Sequence, residues 1–235
     1  QPIHNEDRTL WVVFNGEVFN YIELREQLER QGHSFYTHTD TEVIVHLYEE
    51  HGERFPEHLN GQFAIALWDE REDKLILVRD RPGILPLFFA LDRKGIVFAS
   101  EIKSVLCGRA VPPRLDAHGL DQLFTFWSPV SPRTLFEGVS QLPPGHMAVY
   151  RGGKLDVRPY WDWTFPGDGA YLGGREEDIA AQLHELLGPV LLMAVIAVAP
   201  AIFEELAFRG LLQGRLTALM GHMTGIMATA GFFAL

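Results

Sequence analysis

An α+β domain over residues 1–187, followed by one or two apolar helices, is the architecture that the 235-residue sequence predicts. Three observations predict it. Amphipathic helical repeats near the start give way to short apolar segments separated by polar turns. Those segments follow one another instead of alternating with helices, which favours separate α and β layers over βαβ units. Finally, charge nearly vanishes after Leu187: from Gly188 to Leu235 only Glu204, Glu205, Arg209 and Arg215 are charged, and they cancel. The mean hydropathy of 0.00 is therefore an average over two unlike parts.

Taken in order, Thr9–Phe14 is a β-branched and aromatic run that reads as a strand entering a tight turn at Asn15-Gly16. Tyr21–Arg30 sets Tyr21, Leu24 and Leu28 at helical spacing, with Asn20 as N-cap and Gly32 as the stop. Thr39-Asp40-Thr41-Glu42 opens a second helix with Val43, Ile44, Leu47 and Tyr48 on one face, and Gly52 closes it. Gln62–Trp68, Leu75–Val78, Leu87–Leu91 and Ile96–Ala99 then read as an antiparallel meander. A helix over Asp116–Phe126 follows, and a hairpin of His146–Tyr150 with Lys154–Val157 turns at Arg151-Gly152-Gly153.

The net charge of −11 lies wholly within residues 1–187, which carry 29 acidic and 18 basic side chains. Such a balance suits a soluble domain and excludes a nucleic-acid partner, because no basic face is available to neutralise phosphates. One cysteine excludes an internal disulfide framework and a thiolate metal cluster, and it fits a reducing compartment. Gln1–Leu10 is polar and has no signal-peptide character, and its abrupt start reads as that of a fragment. Residues 1–187 are accordingly expected in the cytoplasm. Leu186–Phe203 and Leu216–Leu235 are uncharged and near the length that crosses a bilayer core, so membrane association is expected of residues 188–235.

Asn15-Gly16-Glu17 presents a side-chain amide, a backbone N–H and a carboxylate together at a strand end. The amide and the Gly16 N–H can form an oxyanion hole, with Glu17 placed to hold a cation. Asn-Gly is equally the commonest hairpin turn. Asp40 has the same two readings, a helix cap or a carboxylate that holds a ligand ammonium.

VVFNGEVFNYIELREQL, THTDTEVIVHLYEEHG, LNGQFAIALWDERED, LVRDRPGILPLFFA, FASEIKSVL and LPPGHMAVY occur in this order. Together they resemble the glutaminase domain of glutamine-hydrolysing asparagine synthetases, class II amidotransferases of the N-terminal-nucleophile αββα fold. The resemblance spans residues 1 to about 187. It implies that glutamine is the substrate, that Asn15 and Gly16 form the oxyanion hole, and that Glu17 and Asp40 hold the glutamine α-amino group. Arg79, Asp80 and Gly83 match a segment that is largely architectural in that family, and Ser100-Glu101-Ile102-Lys103 matches another. In that family an N-terminal cysteine thiolate attacks the glutamine amide, its α-amino group shuttles the proton, and ammonia passes to an activated aspartate.

Neither that cysteine nor the arginine-glycine segment that clamps the glutamine carboxylate occurs in this sequence, and Cys107, beyond the SEIK motif, cannot replace the nucleophile. No Gly-rich SGG-x-DS pyrophosphate loop and no Walker motif is present. The expectation is a glutaminase domain that is inactive alone, holds no cofactor, and lacks its synthetase partner, to which ATP and Mg would belong.

In the tail, Glu204, Glu205 and Arg209 are placed on one helix, with Glu205 and Arg209 four apart. They mark either a membrane-interface helix end or a functional intramembrane cluster. EE-x-x-x-R followed by GLLQGRL resembles the first motif of CPBP, or CAAX-protease-like, intramembrane metalloproteases. The Phe-x-x-x-His motif of that family is incomplete at Phe233, and His222 is read as packed or interfacial, with no metal assigned. A truncated chimera joined near Leu187 is the leading reading. A non-catalytic, membrane-anchored module that binds glutamine or a partner, and a fragment of an intramembrane protease, are its alternatives.

Overall fold

The computed structural model describes residues 1–93, 95–108, 111–165, 177–182 and 184–185. The chain divides into two units, Gln1–Thr164 and Phe165–Leu235. In the second, the described residues 177–182 and 184–185 are helical. The apolar tail lies outside the described residues, and among the described residues no helix is long and apolar enough to cross a membrane.

Along the first unit run β1 (Ile3–His4), β2 (Leu10–Val18), α1 (Tyr21–Gln31), α2 (Glu42–His51) and a 3-10 helix (Gly52–His58). They are followed by β3 (Gly61–Asp69), β4 (Lys74–Arg79), β5 (Phe88–Asp92), β6 (Gly95–Ala99), α3 (Ile102–Cys107) and α4 (Ala117–Phe126). The last strands are β7 (Ser140–Gln141), β8 (His146–Arg151) and β9 (Lys154–Pro159). All strand pairs are antiparallel, in one six-stranded sheet of order β1-β2-β3-β4-β8-β9 and one three-stranded sheet of order β6-β5-β7.

Side-chain alternation along the central strands explains why the sheets stack. Phe63, Ile65 and Leu67 of β3 and Ile76 and Val78 of β4 face a core shared with Leu24 and Leu28 of α1 and Val43, Ile44 and Leu47 of α2. The intervening Ala64, Ala66, Leu75 and Leu77 face the other way, against Leu87, Phe89 and Leu142 around the small sheet. Beyond that sheet, Val105 of α3 packs with Ala90 and Val139. The order of layers is thus helices, large sheet, small sheet, helix, the expected αββα sandwich. β4 is buried along its whole length, which is why LILV reads as an unbroken apolar run. Each large apolar side chain so buried stabilises the fold by about 1.5–3 kcal/mol.

Two local expectations are corrected and a third is refined. The four segments of the expected meander divide between the two sheets, because the chain leaves β4 and crosses to β5 instead of folding back beside it. Asn15-Gly16 is not a turn: β2 continues straight through it to Val18. Asn20 is the N-cap residue of α1, but its side chain makes no cap bond; its Nδ2 donates to His58 O at 3.0 Å and its Oδ1 accepts from Asn60 N at 2.9 Å. By contrast, the Asp116 side chain does cap α4, accepting from His118 N and Gly119 N.

A polar cluster fastens α2 to the end of the β3–β4 hairpin. Tyr48 Oη donates to Asp69 Oδ2 at 2.8 Å, and Lys74 Nζ lies 5.4 Å from the Tyr48 ring centroid while binding Glu53 and Glu72. Burial pushes the Tyr48 phenol up to about 12 from 10.0, with the Lys74 contact opposing the shift and Asp69 reinforcing it. The folded chain therefore keeps this proton after the unfolded chain has lost it. Stability is full below pH 10 and falls as pH rises from there towards about 12. Thermal melts at rising alkaline pH should show this decline, and Tyr48→Phe should make it shallower; an unchanged slope in the variant would remove Tyr48 as a cause.

Candidate functional site

The predicted residues meet at the far end of β2. β2 pairs with β3 along its full length, setting Asn15 opposite Ala64, Gly16 opposite Phe63 and Glu17 opposite Gln62. On its other side it pairs with β1 only at Trp11 and Val12. Asn15, Gly16 and Glu17 are all exposed. The two strands are pinched together there. Gly16 has φ of +139°, and a Cβ on it would lie 2.1 Å from Gln62 O; one on Gly61 would lie 2.2 Å from Glu17 O. Only glycine permits this approach, and the conformation turns the Gly16 backbone in a way L-residues rarely adopt.

Asp40 joins the same corner from a distant part of the chain. Its Oδ2 accepts from Val18 N at 2.9 Å, and Thr41, not Asp40, is the residue at the α2 N-cap position. The structure thus ties Asp40 to the residue that follows Glu17 and gives it no capping bond to the helix. Phe19 N donates to Asn60 O at 2.7 Å, and with the Asn20 bridges this holds the entry to β3 against the same end of β2.

Behind the corner, Asp80 is completely buried. Its Oδ1 accepts from Ile84 N at 2.8 Å, and its Oδ2 accepts from Phe63 N at 3.2 Å and Leu85 N at 3.0 Å. Phe63 is the partner of Gly16 in the ladder, so the crossing loop after β4 braces the strand that backs the candidate oxyanion donors. Arg79 makes the reciprocal bonds, donating to the carbonyls of Leu85, Leu142 and Gly83 at 2.7, 2.9 and 2.6 Å. Burial pushes its guanidinium pKa down, against the charge of Asp80. Resemblance marked Arg79, Asp80 and Gly83 as architectural, but no local sequence signal reveals that Asp80 braces Phe63.

Other predicted groups lie apart. Glu101 pairs with Lys103 at 2.5 Å at the start of α3, and Cys107 is exposed at the end of that helix, a helix packed on the small sheet. A cavity of about 420 Å³ lined by Asp116, Gln122, Arg133 and Thr134 includes none of Asn15, Gly16, Glu17 and Asp40. Among the described residues, no group with metal-ligand spacing includes Glu17 or Asp40. Glu204, Glu205 and Arg209 lie outside the described residues.

Layer order and topology are those of an αββα sandwich, a fold shared with solved glutamine amidotransferases. The chain aligns with a glutamine phosphoribosylpyrophosphate (PRPP) amidotransferase from B. subtilis, complexed with ADP and GMP, at a TM-score of 0.50 and 22% identity. That alignment covers 68% of this chain and 32% of the other. Residues 1–161 match the family described as "Glutamine amidotransferase domain", and the chain belongs to that family. Two relatives from Bacillus subtilis (strain 168) sharpen the likeness. "Asparagine synthetase [glutamine-hydrolyzing] 3" is 36% identical over 155 residues, covering 66% of this chain and 25% of that protein. "Asparagine synthetase [glutamine-hydrolyzing] 1" is 37% identical over 165 residues, covering 70% and 25%. The chain thus spans about a quarter of the length of these relatives. Residues 186–235 match a second family, "Type II CAAX prenyl endopeptidase Rce1-like".

Proposed function

We propose that the pinched end of β2 is the glutamine site of an asparagine synthetase-like amidotransferase. The Asn15 side-chain amide and the Gly16 N–H donate to the oxyanion that forms when the glutamine amide is attacked. Glu17 and Asp40 hold the α-ammonium, and the freed ammonia is used to form asparagine. The observation that carries this reading is the 2.9 Å bond from Val18 N to Asp40, which brings two carboxylates to one exposed strand end beside both candidate donors. The names of the two Bacillus subtilis relatives support the acceptor, and their greater length supports assigning ATP and Mg to a separate synthetase segment.

The attacking thiolate is assigned outside residues 1–235. The one cysteine in the sequence, Cys107, is on α3 and has no α-amino group beside it to take the proton. Residues 1–235 alone therefore bind glutamine without hydrolysing it. The match of residues 186–235 supports membrane association of that segment and keeps open its reading as a chimeric or anchoring tail.

Calorimetric titration of the full chain with glutamine should give saturable one-to-one binding and no ammonia release. Glu17→Gln and Asp40→Asn remove charge while preserving shape, and Asn keeps an acceptor for Val18 N–H. Each should weaken glutamine about tenfold or more, the value of one charge-assisted hydrogen bond. Unchanged affinity in both variants, or no binding by the folded chain, would overturn the site. Ammonia release would overturn the placement of the nucleophile.

A further inference from the structure

Apart from the residues assigned to glutamine chemistry, two histidines and two glutamates converge. Glu6 comes from the turn after β1, His33 from the connection after α1, and His46 and Glu49 lie one turn apart on α2. One ligand-type atom from each falls within 4.8 Å of all the others. His46 Nδ1 is 3.1 Å from Glu49 Oε2 and 3.5 Å from Glu6 Oε2. His33 Nδ1 is 3.6 Å from Glu49 Oε2 and 3.8 Å from Glu6 Oε1.

These separations decide between two arrangements. Three of the four exceed a good N–H···O hydrogen bond. Taking Oε2 of Glu6 and Oε2 of Glu49 as the ligand atoms, the separations of 3.1, 3.5 and 3.6 Å lie near the distance of about 3.3 Å that separates neighbouring ligands bound at about 2.0–2.1 Å around a tetrahedral ion. The outer atoms of His33, Glu49 and Glu6 are held as they are around bound metals. His33 Nε2 lies 2.9 Å from Glu50 Oε1, so its Nδ1 is the lone-pair nitrogen when Nε2 donates. Asn5 Nδ2 donates to Glu49 Oε1 at 2.8 Å and turns Oε2 towards both imidazoles. Ser34 N donates to Glu6 Oε1 at 2.9 Å. His46 is completely buried; its Nδ1 is within hydrogen-bond distance of Glu49 Oε2, and its Nε2, 3.7 Å from Glu42 Oε1, has no hydrogen-bond partner.

Charge points the same way. Glu6, Glu49 and Glu50 surround the two rings, and among the described residues no lysine or arginine pairs with any of these carboxylates; nearby Glu42 is already bound by Tyr36 N, Thr37 N and Thr37 Oγ1. A dication bound among them offsets that negative charge. We propose that Glu6, His33, His46 and Glu49 form a four-coordinate zinc site that staples the β1–β2 turn and the α1–α2 connection onto α2. Four protein ligands with no open position make it structural, separate from the glutamine corner. The H-x-x-E spacing of His46 and Glu49 puts both ligands on one helix face.

The test uses the full chain stripped with chelator and then dialysed against zinc chloride. One zinc per chain should remain after exchange, with a higher Tm than the stripped protein. Cobalt(II) in its place should give the visible absorption of a four-coordinate N/O site. Glu50→Gln, which exchanges the charged acceptor of the outer nitrogen of His33 for a neutral amide oxygen, should weaken zinc about tenfold, and His33→Ala should weaken it more. If His33→Ala fails to fold, by circular dichroism, the Glu50→Gln affinity and the cobalt spectrum decide. Less than one zinc retained by the wild-type chain, six-coordinate cobalt, or zinc affinity unchanged in either folded variant would overturn the proposal.

Discussion

Gly16→Ala is expected to lower stability by about 3 kcal/mol or more, or to prevent folding, because two costs coincide at one atom. The new Cβ would stand 2.1 Å from Gln62 O and 2.7 Å from Phe63 Cα, both backbone atoms that cannot rotate away. The φ of +139° would also be strained for alanine whatever the space. Relief requires β2 and β3 to separate, and β3 is locked between β2 and β4. Gly152→Ala is the control, since Gly152 has φ of +56° but nothing within 4 Å; it should cost only about 1 kcal/mol. Urea denaturation of the two variants separates steric pinch from simple left-handed strain. Equal losses would mean that the strands are not held together as described.

Asp80→Ala is expected to cost about 3–5 kcal/mol. It strands the N–H groups of Phe63, Ile84 and Leu85 without their carboxylate acceptor, and it leaves the buried Arg79 guanidinium beside a lost charge. Asp80→Asn keeps one accepting oxygen and should lose less. The same substitutions reach the candidate site, because Phe63 backs Gly16. Chemical denaturation measures the loss, and a cost near that of a surface residue would contradict the bracing role.

The sequence made the layers legible and left the joints obscure. Periodicity located α1, α2, β3, β4 and the β8–β9 hairpin because each buries a regular face or pair of faces. The split of the strands into two sheets was not legible, since local alternation is the same whether a strand pairs with its neighbour or crosses to another layer. Asn15-Gly16 misled as a turn because its dipeptide preference is local, whereas the extended course of β2 is imposed by the full ladder with β3. For Asp40 the sequence left two readings, a helix cap or a ligand carboxylate, because position before a helix is local whereas its bond from Val18 N–H is brought in by tertiary structure. Resemblance singled out Asn15, Gly16, Glu17 and Asp40, and the fold brings their backbone positions to one corner. The brace from Asp80 and the bridges from Asn20 are long-range side-chain bonds, which no spacing rule encodes.

The measurement closest to the central claim is a glutamine titration of the chain followed through its backbone amide resonances. Shifts concentrated at Asn15, Gly16, Glu17, Val18 and Asp40, growing to saturation and lost in Glu17→Gln, are the predicted result. Saturating shifts centred instead on the cavity lined by Asp116, Gln122 and Arg133, or no shifts in the folded chain, would contradict the assignment of the β2 corner as the glutamine site.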